Sequence, residues 1–407
     1  MIPVAEAIAR ITAALAPMPS EIIAVSDSVG RVLAEPVLAR VSQPPANISA
    51  MDGYAVRADD FRRRLPMRLK VIGSVAAGHG FRGTVQPGEA VRIFTGAAMP
   101  AGTTAVLIQE AVQADDNGGI TVTEAVAAGH HVRPMGQDFE VGTIGLPAGR
   151  TIGVRDVALI AAMNVPLLRV RQRPRVAILA TGDEVVLPGE PLGRHQIISS
   201  NSPALGALVT ACGGLPINLG VAGDSADALL AAAASAEGSD LLVTSGGASV
   251  GDHDLVHAVL GKRGDNIDFW KVAMRPGKPL LFGRTGSVPL LGLPGNPVSC
   301  LVTAFVFLRP ALRALLGQPA EANGLRPTAR LGQALPANDQ RQTYLRATLS
   351  HDWAGDLTAT PFPRQDSAML TPLAAADCLI IRPPAAEAAD AGSRVEILPL
   401  GASIIGV

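Results

Sequence analysis

The stretch Leu241 to Asp254, Leu-Leu-Val-Thr-Ser-Gly-Gly-Ala-Ser-Val-Gly-Asp-His-Asp, constrains the fold more than any other part of the chain. Four residues of β-forming character run into a turn where Ser245, Gly246, Gly247, Ser249 and Gly251 leave almost no side-chain bulk. Asp252 and Asp254 follow, ahead of an apolar helical stretch. The order is strand, bare loop, helix. Glycine permits positive φ and close backbone approach, and amides at a helix N-terminus favour anions, so phosphate is the first ligand class to consider. An ordinary strand-to-helix turn of an α/β sheet uses the same ingredients. Three glycines and two serines in seven residues, followed by paired acids, favour the ligand-binding reading.

The flanking segments extend this unit. Val176-Ala-Ile-Leu-Ala reads as a continuous apolar strand, Ser199-Ser-Asn-Ser caps a helix over 203–212, Leu215 to Val221 is a second strand, and Ser225 starts an alanine-rich helix. Strands alternating with helices at this spacing predict a parallel sheet with helices on both faces, and ligands bind outside the carboxyl ends of such strands. Thr181-Gly-Asp-Glu, Gly223-Asp224 and Thr244-Ser-Gly-Gly follow the three strands where that rule needs polar residues. Trp270 to Pro279 and Leu291 to Pro297 complete the unit, the latter opening a long apolar helix at Pro297, a favoured N1 residue.

A chain of 407 residues exceeds one typical domain of roughly 150 residues, and the rest of it divides accordingly. Residues 4 to 15 have helical spacing, and Ser26 to Ser28 offer caps for a second short helix through Leu33. From Val41 to about 138 short β-like runs alternate with Pro and Gly. A β-like piece at Thr143 to Leu146 then leads to a helical pattern from Arg155, expected to pack on the first helices. The expected organisation is a helical domain from 1–40 and 139–173, which would serve in linking and dimerisation. An inserted β-rich domain (41–138), an α/β domain (174–318) and a small C-terminal β domain (319–407) complete it.

Charge is nearly balanced, with 34 Lys and Arg against 35 Asp and Glu, so no global field draws the chain to nucleic acid or anionic lipid. Cys212, Cys300 and Cys378 lie far apart without a Cys-x-x-Cys spacing, which argues for free thiols in a reducing cytoplasm rather than a disulfide framework or zinc ribbon. Glu6 and Arg10 interrupt any N-terminal secretory signal. The longest apolar run, Val298 to Leu308, is about half of the ~20 residues a membrane span needs. A membrane partner is not expected.

Asp183, Glu184, Asp224, Asp252 and Asp254 would gather on one side of the sheet with Lys271, Arg275 and Lys278. Bare carboxylates repel phosphate, so such a site needs a hard cation or flanking basic groups. Oxygen-only ligands suit Mg²⁺, and the basic loop would serve oxyanions by charge and by forked hydrogen bonds. A solvated basic turn is the plainer alternative. His253 and His257 stand four apart on a helical stretch, but no Glu follows His253 and no third ligand is evident, so surface or packing roles are preferred to zinc. Asp52-Gly53 reads equally well as a tight turn. Nucleophile-elbow and Walker patterns are absent.

Six motifs in order, Ser49-Ala-Met-Asp-Gly-Tyr-Ala, Phe94-Thr-Gly-Ala, Thr181-Gly-Asp-Glu, Thr244-Ser-Gly-Gly-Ala-Ser-Val-Gly-Asp, Arg275-Pro-Gly-Lys-Pro and Gly292-Leu-Pro-Gly-Asn-Pro-Val-Ser, resemble the motif series of the molybdopterin molybdenumtransferases. That family includes the C-terminal domain of gephyrin. The resemblance covers essentially the whole chain. It implies a cytoplasmic homodimer of four-domain subunits and a Mg²⁺-dependent reaction in which adenylylated molybdopterin and molybdate give molybdenum cofactor and AMP, with the molybdopterin adenylyltransferase as a possible protein partner. It implies catalytic roles for Asp52, Thr95, Asp138, Glu184, Asp224 and Asp254, the last three as metal ligands. Substrate contacts are implied for Ser245, Gly246, Gly247, Ser249, Lys271, Arg275, Lys278, Pro294 and Asn296, with Arg346 and Ser367 on weaker local matches. Many relatives have Lys where this chain has Arg275, which puts the geometry of oxyanion binding in question. The alternatives are a molybdopterin adenylyltransferase-like enzyme, which resembles a single small domain, and a non-catalytic molybdopterin-binding scaffold.

Overall fold

The computed structural model describes residues 1–62, 65–246, 267–320, 326–351 and 355–400. At its centre is a six-stranded sheet in the order Leu215–Ala222, Arg175–Thr181, Leu241–Ser245, Val288–Leu293, Pro279–Thr285, Ile267–Lys271. The first four strands are parallel, as the strand-helix alternation predicts, whereas Pro279–Thr285 runs antiparallel to them and Ile267–Lys271, antiparallel to it in turn, forms the edge. A tight return from Thr285 to Val288 makes Pro279–Thr285 and Val288–Leu293 a hairpin.

Period-two burial fills both faces of this sheet. Val176, Ile178, Leu241, Val243, Leu291 and Leu293 face the helix Asn201–Ala211 and the long helix from Pro297 to Leu315. Ala177, Leu179, Leu242 and Leu290 face Leu229 and Ala233 of the helix Ala226–Ala234, whose cap is Ser225, its Oγ accepting from the Ala228 N–H at 3.2 Å. The long helix runs for 19 residues and is apolar enough to cross a membrane, but Cys300, Val302, Phe307, Leu308, Ala311 and Leu312 are all fully buried in the core. It is a core helix, carrying a π-helical stretch at Ala304–Leu308.

The N-terminal helix, Val4–Ala13, does not join a helical domain as expected. Its apolar stripe of Val4, Ala7 and Ile11 continues the core of the α/β unit, and the Ile2 N–H donates to Lys271 O at 3.1 Å. The anticipated second helix is a single 3-10 turn, Val25–Asp27, ended by a turn at Val29 and Gly30. What holds 20–40 and 139–171 together is strand pairing, Ser20–Ala24 with Leu167–Arg171 and Val37–Leu38 with Ile144–Leu146. The helix Val154–Ala162 packs there, through Ile160, on Leu33, Val37 and Val170, and not on the first helix.

Between these strands the chain makes a separate six-stranded sheet, in the order Ala105–Ile108, Gly53–Val56, Glu89–Ile93, Met67–Val75, Gly119–Val122, Val112–Ala114. It has apolar clusters of its own on both faces. The C-terminal region closes a five-stranded barrel in which Gln342–His351 pairs with both Leu357–Pro361 and Cys378–Arg382, while Thr328–Leu331 and Arg394–Pro399 complete the ring. The short strand Met274–Arg275 pairs in parallel with Gln342 and Thr343 and joins the barrel to the α/β unit.

Candidate functional site

The carboxyl ends of the parallel strands open into a cleft of about 660 Å³. Its walls are the turns that follow three strands and the starts of two helices, where backbone amides have no intrahelical partner. Thr181, Gly182 and Glu184 come from the first turn, Asp224 from the second, and Ser245 and Gly246 from the third. Pro294, Gly295 and Asn296 precede the long helix. Ser199, Ser200 and Asn201 form the start of the helix Asn201–Ala211.

Glycine is required at two of these turns. Gly246 has φ +94°, and a Cβ there would lie 2.7 Å from the Thr181 carbonyl oxygen. Gly182 has φ +130°, and a Cβ would lie 2.4 Å from a Glu184 carboxylate oxygen. Backbone therefore stands where side chains would, leaving room for a ligand. The first two turns are cross-linked reciprocally, the Asp224 N–H donating to Asp183 Oδ1 at 3.0 Å and the Asp183 N–H to Asp224 Oδ2 at 3.3 Å.

Of the sequence-derived site residues, the cleft gathers Glu184, Asp224, Ser245, Gly246, Pro294 and Asn296. Ser367 joins its edge, its Oγ accepting from Asn296 Nδ2 at 3.2 Å and its carbonyl from the Val298 N–H at 3.1 Å. Gly247, Ser249 and Asp254 lie outside the described residues, as do Asp252, His253 and His257. None of the three basic residues lines the cleft. Exposed Lys278 stands between Gly277 and Pro279, which line the cleft, and Arg275 pairs with Asp339 at 3.3 Å. The Lys271 ammonium lies 3.9 Å from the centre of the Trp270 ring. Glu184 and Asp224 are hard oxygen donors of the kind Mg²⁺ takes. Among the described residues no cluster of three or more metal-ligating side chains forms.

Asp52, Thr95 and Asp138 do not line this cleft. Asp52 and Thr95 form an exposed pair on the inserted sheet, Asp52 Oδ1 accepting from both the N–H and the hydroxyl of Thr95 at 2.8 Å. Those bonds, the backbone one foremost, hold the Asp52 carboxyl below its ordinary range. The Arg92 guanidinium lies over the Tyr54 and Phe94 rings nearby, 5.0 and 5.1 Å from their centres. Exposed Asp138 lies where the inserted unit ends, its N–H bound to Gln43 O at 2.9 Å.

Arg346, expected as a substrate contact, is instead buried to 1% exposure in the barrel wall, and its guanidinium is spent on protein acceptors. It donates to the carbonyls of Met369 (2.8 Å), Asp366 (3.0 Å) and Arg364 (3.2 Å) and to Gln365 Oε1 (3.2 Å). A planar fork suits this task, and its effect is to hold the loop that presents Ser367. Conversely, Asn201 and Gly277 were missed. The sequence signal for Asn201 was its place in Ser199-Ser-Asn-Ser, read only as a cap. That for Gly277 was its position between Arg275 and Lys278.

Comparison with known proteins bears on the family and the fold. Family models match over residues 2–164 (MoeA N-terminal region, domains I and II), 177–314 (probable molybdopterin binding domain) and 328–400 (MoeA C-terminal region, domain IV). A molybdopterin molybdenumtransferase from Nostoc is 38% identical over 340 residues, covering 81% of this chain and 77% of its own. One from Bacillus subtilis is 33% identical over 404 residues, covering 98% and 94%. A solved structure of a molybdopterin biosynthesis MoeA protein from Pyrococcus horikoshii superposes with a TM-score of 0.86 at 32% identity, covering 99% of this chain and 100% of its own. A second structure of a protein so described gives 0.82 at 27%, covering 98% and 99%. With models matched from residue 2 to residue 400 and relatives above 30% identity over most of both chains, this chain belongs to the MoeA family of molybdopterin molybdenumtransferases.

Proposed function

We propose that this chain is a molybdopterin molybdenumtransferase, taking adenylylated molybdopterin and molybdate to molybdenum cofactor and AMP. The observation that carries the reading is the cleft itself. Glycine-only turns, two helix starts and two carboxylates meet there at the carboxyl ends of a parallel sheet. Neither the single-domain adenylyltransferase reading nor the scaffold reading is favoured, since relatives named for the transferase match along nearly the whole chain.

The chain's contribution is positioning and electrostatic stabilisation. Amides of the Gly246 turn and of the helix starting at Asn201 receive phosphate oxygens. Lys278 and Arg275 offset anionic charge, and Asn296 and Ser367 present polar groups. Glu184 and Asp224, together with Asp254, would hold Mg²⁺. When bound, that ion supplies charge neutralisation at the phosphate.

Asp52, Thr95 and Asp138 do not line the cleft of their own chain, so a second copy is their route to a reaction. Support for a homodimer comes from exposed aliphatic side chains on the strand-paired unit, among them Ile22, Leu38, Ile144, Val154 and Leu167. Cytoplasmic residence accords with the free cysteines. The test is AMP release from adenylylated molybdopterin with Mg²⁺, with and without molybdate, followed by detection of metal-bound pterin. Molybdate-dependent release is expected, and binding without release would overturn the reading.

A further inference from the structure

Asn201 is buried where three walls of the cleft meet. Its amide nitrogen donates to Ser245 Oγ at 2.7 Å and to Gly295 O at 2.8 Å, which uses both hydrogens. Ser245 ends the strand ahead of Gly246, Gly295 belongs to the loop before the long helix, and Asn201 opens its own helix. One side chain therefore ties three separate segments of the fold together.

The two loops it joins leave strands that are paired as far as Ser245 and Leu293, and Ser245 Oγ also stands 3.5 Å from Pro294 O and from Cys300 Sγ. The Gly246 N–H donates to Leu293 O at 3.2 Å, and a Cβ on Gly295 would lie 3.5 Å from Gly246 Cα. Neither glycine has a side chain to hold that separation. Asn201 Oδ1 is buried without a hydrogen-bond partner among the described residues, and the two donations fix the orientation of the amide. A carboxylate of the same shape cannot replace it. Aspartate has no hydrogen to give and would set negative charge against the Gly295 carbonyl.

We propose that Asn201 is a positioning residue for the molybdenumtransferase reaction, acting through Ser245 and Gly295. It sets the distance between the Gly246 turn and the Pro294–Asn296 loop, and with it the grip on the phosphate portion of the substrate. The proposal rests on the functional reading above. It assigns no contact between Asn201 and substrate, since the side chain is enclosed by the groups it ties.

The experiment compares the full chain with Asn201→Ala, Asn201→Asp and Ser245→Ala variants and the Asn201→Ala/Ser245→Ala double variant. It measures AMP binding by calorimetry in the presence of Mg²⁺, steady-state AMP release, and folding by circular dichroism. Asn201→Ala is expected to weaken AMP binding by about 10-fold, and Asn201→Asp by more, with KM for adenylylated molybdopterin rising in step. The double variant should be no weaker than the worse single one, because the two residues act as a unit. Unchanged AMP affinity in a folded variant, a loss confined to kcat, or additive losses in the double variant would each overturn the proposal. Should Asn201→Ala fail to fold, the isosteric Asn201→Asp decides by the same readouts. A wild-type chain that binds AMP but does not turn over refutes the functional reading, and the AMP affinities still decide the role of Asn201. A wild-type chain that does not bind AMP refutes both.

Discussion

Gly277 lines the cleft between Arg275 and Lys278 in the chain, at φ +100°. A Cβ built there would be 2.3 Å from Thr303 Cγ2, about 1.2 Å short of the roughly 3.5 Å at which two carbons rest in contact. Thr303 is fully buried on the long helix, and its hydroxyl is anchored to the Ser299 and Cys300 carbonyls at 2.8 and 2.9 Å. The methyl cannot retreat, so in Gly277→Ala the loop must move. The left-handed backbone adds strain of about 1–3 kcal/mol. A displacement of about 1 Å at a positioning loop costs on the order of 10²-fold, which is about 2.7 kcal/mol of barrier. The assay is kcat/KM for AMP release together with the thermal midpoint. The structure also supplies the control. Thr303→Ser keeps both hydroxyl bonds and removes the offending methyl, after which the next neighbours of the new Cβ, Met274 Cε and Sδ, stand at 3.7 Å. Gly277→Ala/Thr303→Ser should recover most of the activity while retaining the backbone strain in its midpoint. Activity within about threefold of wild type in Gly277→Ala, or no recovery in the double variant, would refute the steric argument.

Glu184→Gln and Asp224→Asn each replace an exposed carboxylate of the cleft and should abolish AMP release with the thermal midpoint retained; activity in both folded variants would exclude the pair as metal ligands. Arg346→Lys removes a fork that holds four acceptors, and at roughly 1 kcal/mol per net hydrogen bond it should lower stability by about 2–3 kcal/mol in denaturant unfolding. The hydrogen bond from Arg68, with that from the Gly119 amide, lowers the Asp115 carboxyl to about 2. The stabilisation it contributes is therefore present above the ordinary carboxylate pKa near 4 and is lost as pH falls towards 2. Asp115→Asn should flatten that part of the acid-stability profile. Burial pushes the Cys300 thiol up to about 12, so iodoacetamide at pH 8 should label it only after unfolding, which mass spectrometry will read.

The α/β unit was legible because its signals are local. Val176 to Ala180 is apolar without interruption since both faces of that strand are covered, and the polar turns follow each strand directly. The first helix was also visible, but its partner was not. The stripe Val4, Ala7, Ile11 says that a face is buried and cannot say that the surface covering it is the core of a unit more than 170 residues later. Arg346 failed for a related reason. Its assignment as a substrate contact rested on a weak local match to the family's motifs, and only the loop 364–369 folding back over it shows that four of its donors turn inward. Asn201 was read by its place in a cap, whereas its side chain reaches away from its own helix to a strand end and a loop. In each case the missing information was a contact made across a long stretch of sequence.

The inserted unit leaves and re-enters its host through neighbouring backbones. The Gln43 N–H donates to Phe139 O at 2.8 Å, the Ala39 N–H to Thr143 O at 2.9 Å, and strand pairing continues behind them. Its two apolar clusters draw on no residue outside the insertion, and the cluster behind it is sealed by Phe139, Val37 and Leu146. The segment that carries Asp52 and Thr95 is thus a pendant cassette on a closed stem. Lengthening it, or trading it for the equivalent cassette of a relative at the 43/139 junction, should leave both neighbouring cores untouched, so the surroundings of Asp52 and Thr95 can vary without disturbing the core behind them.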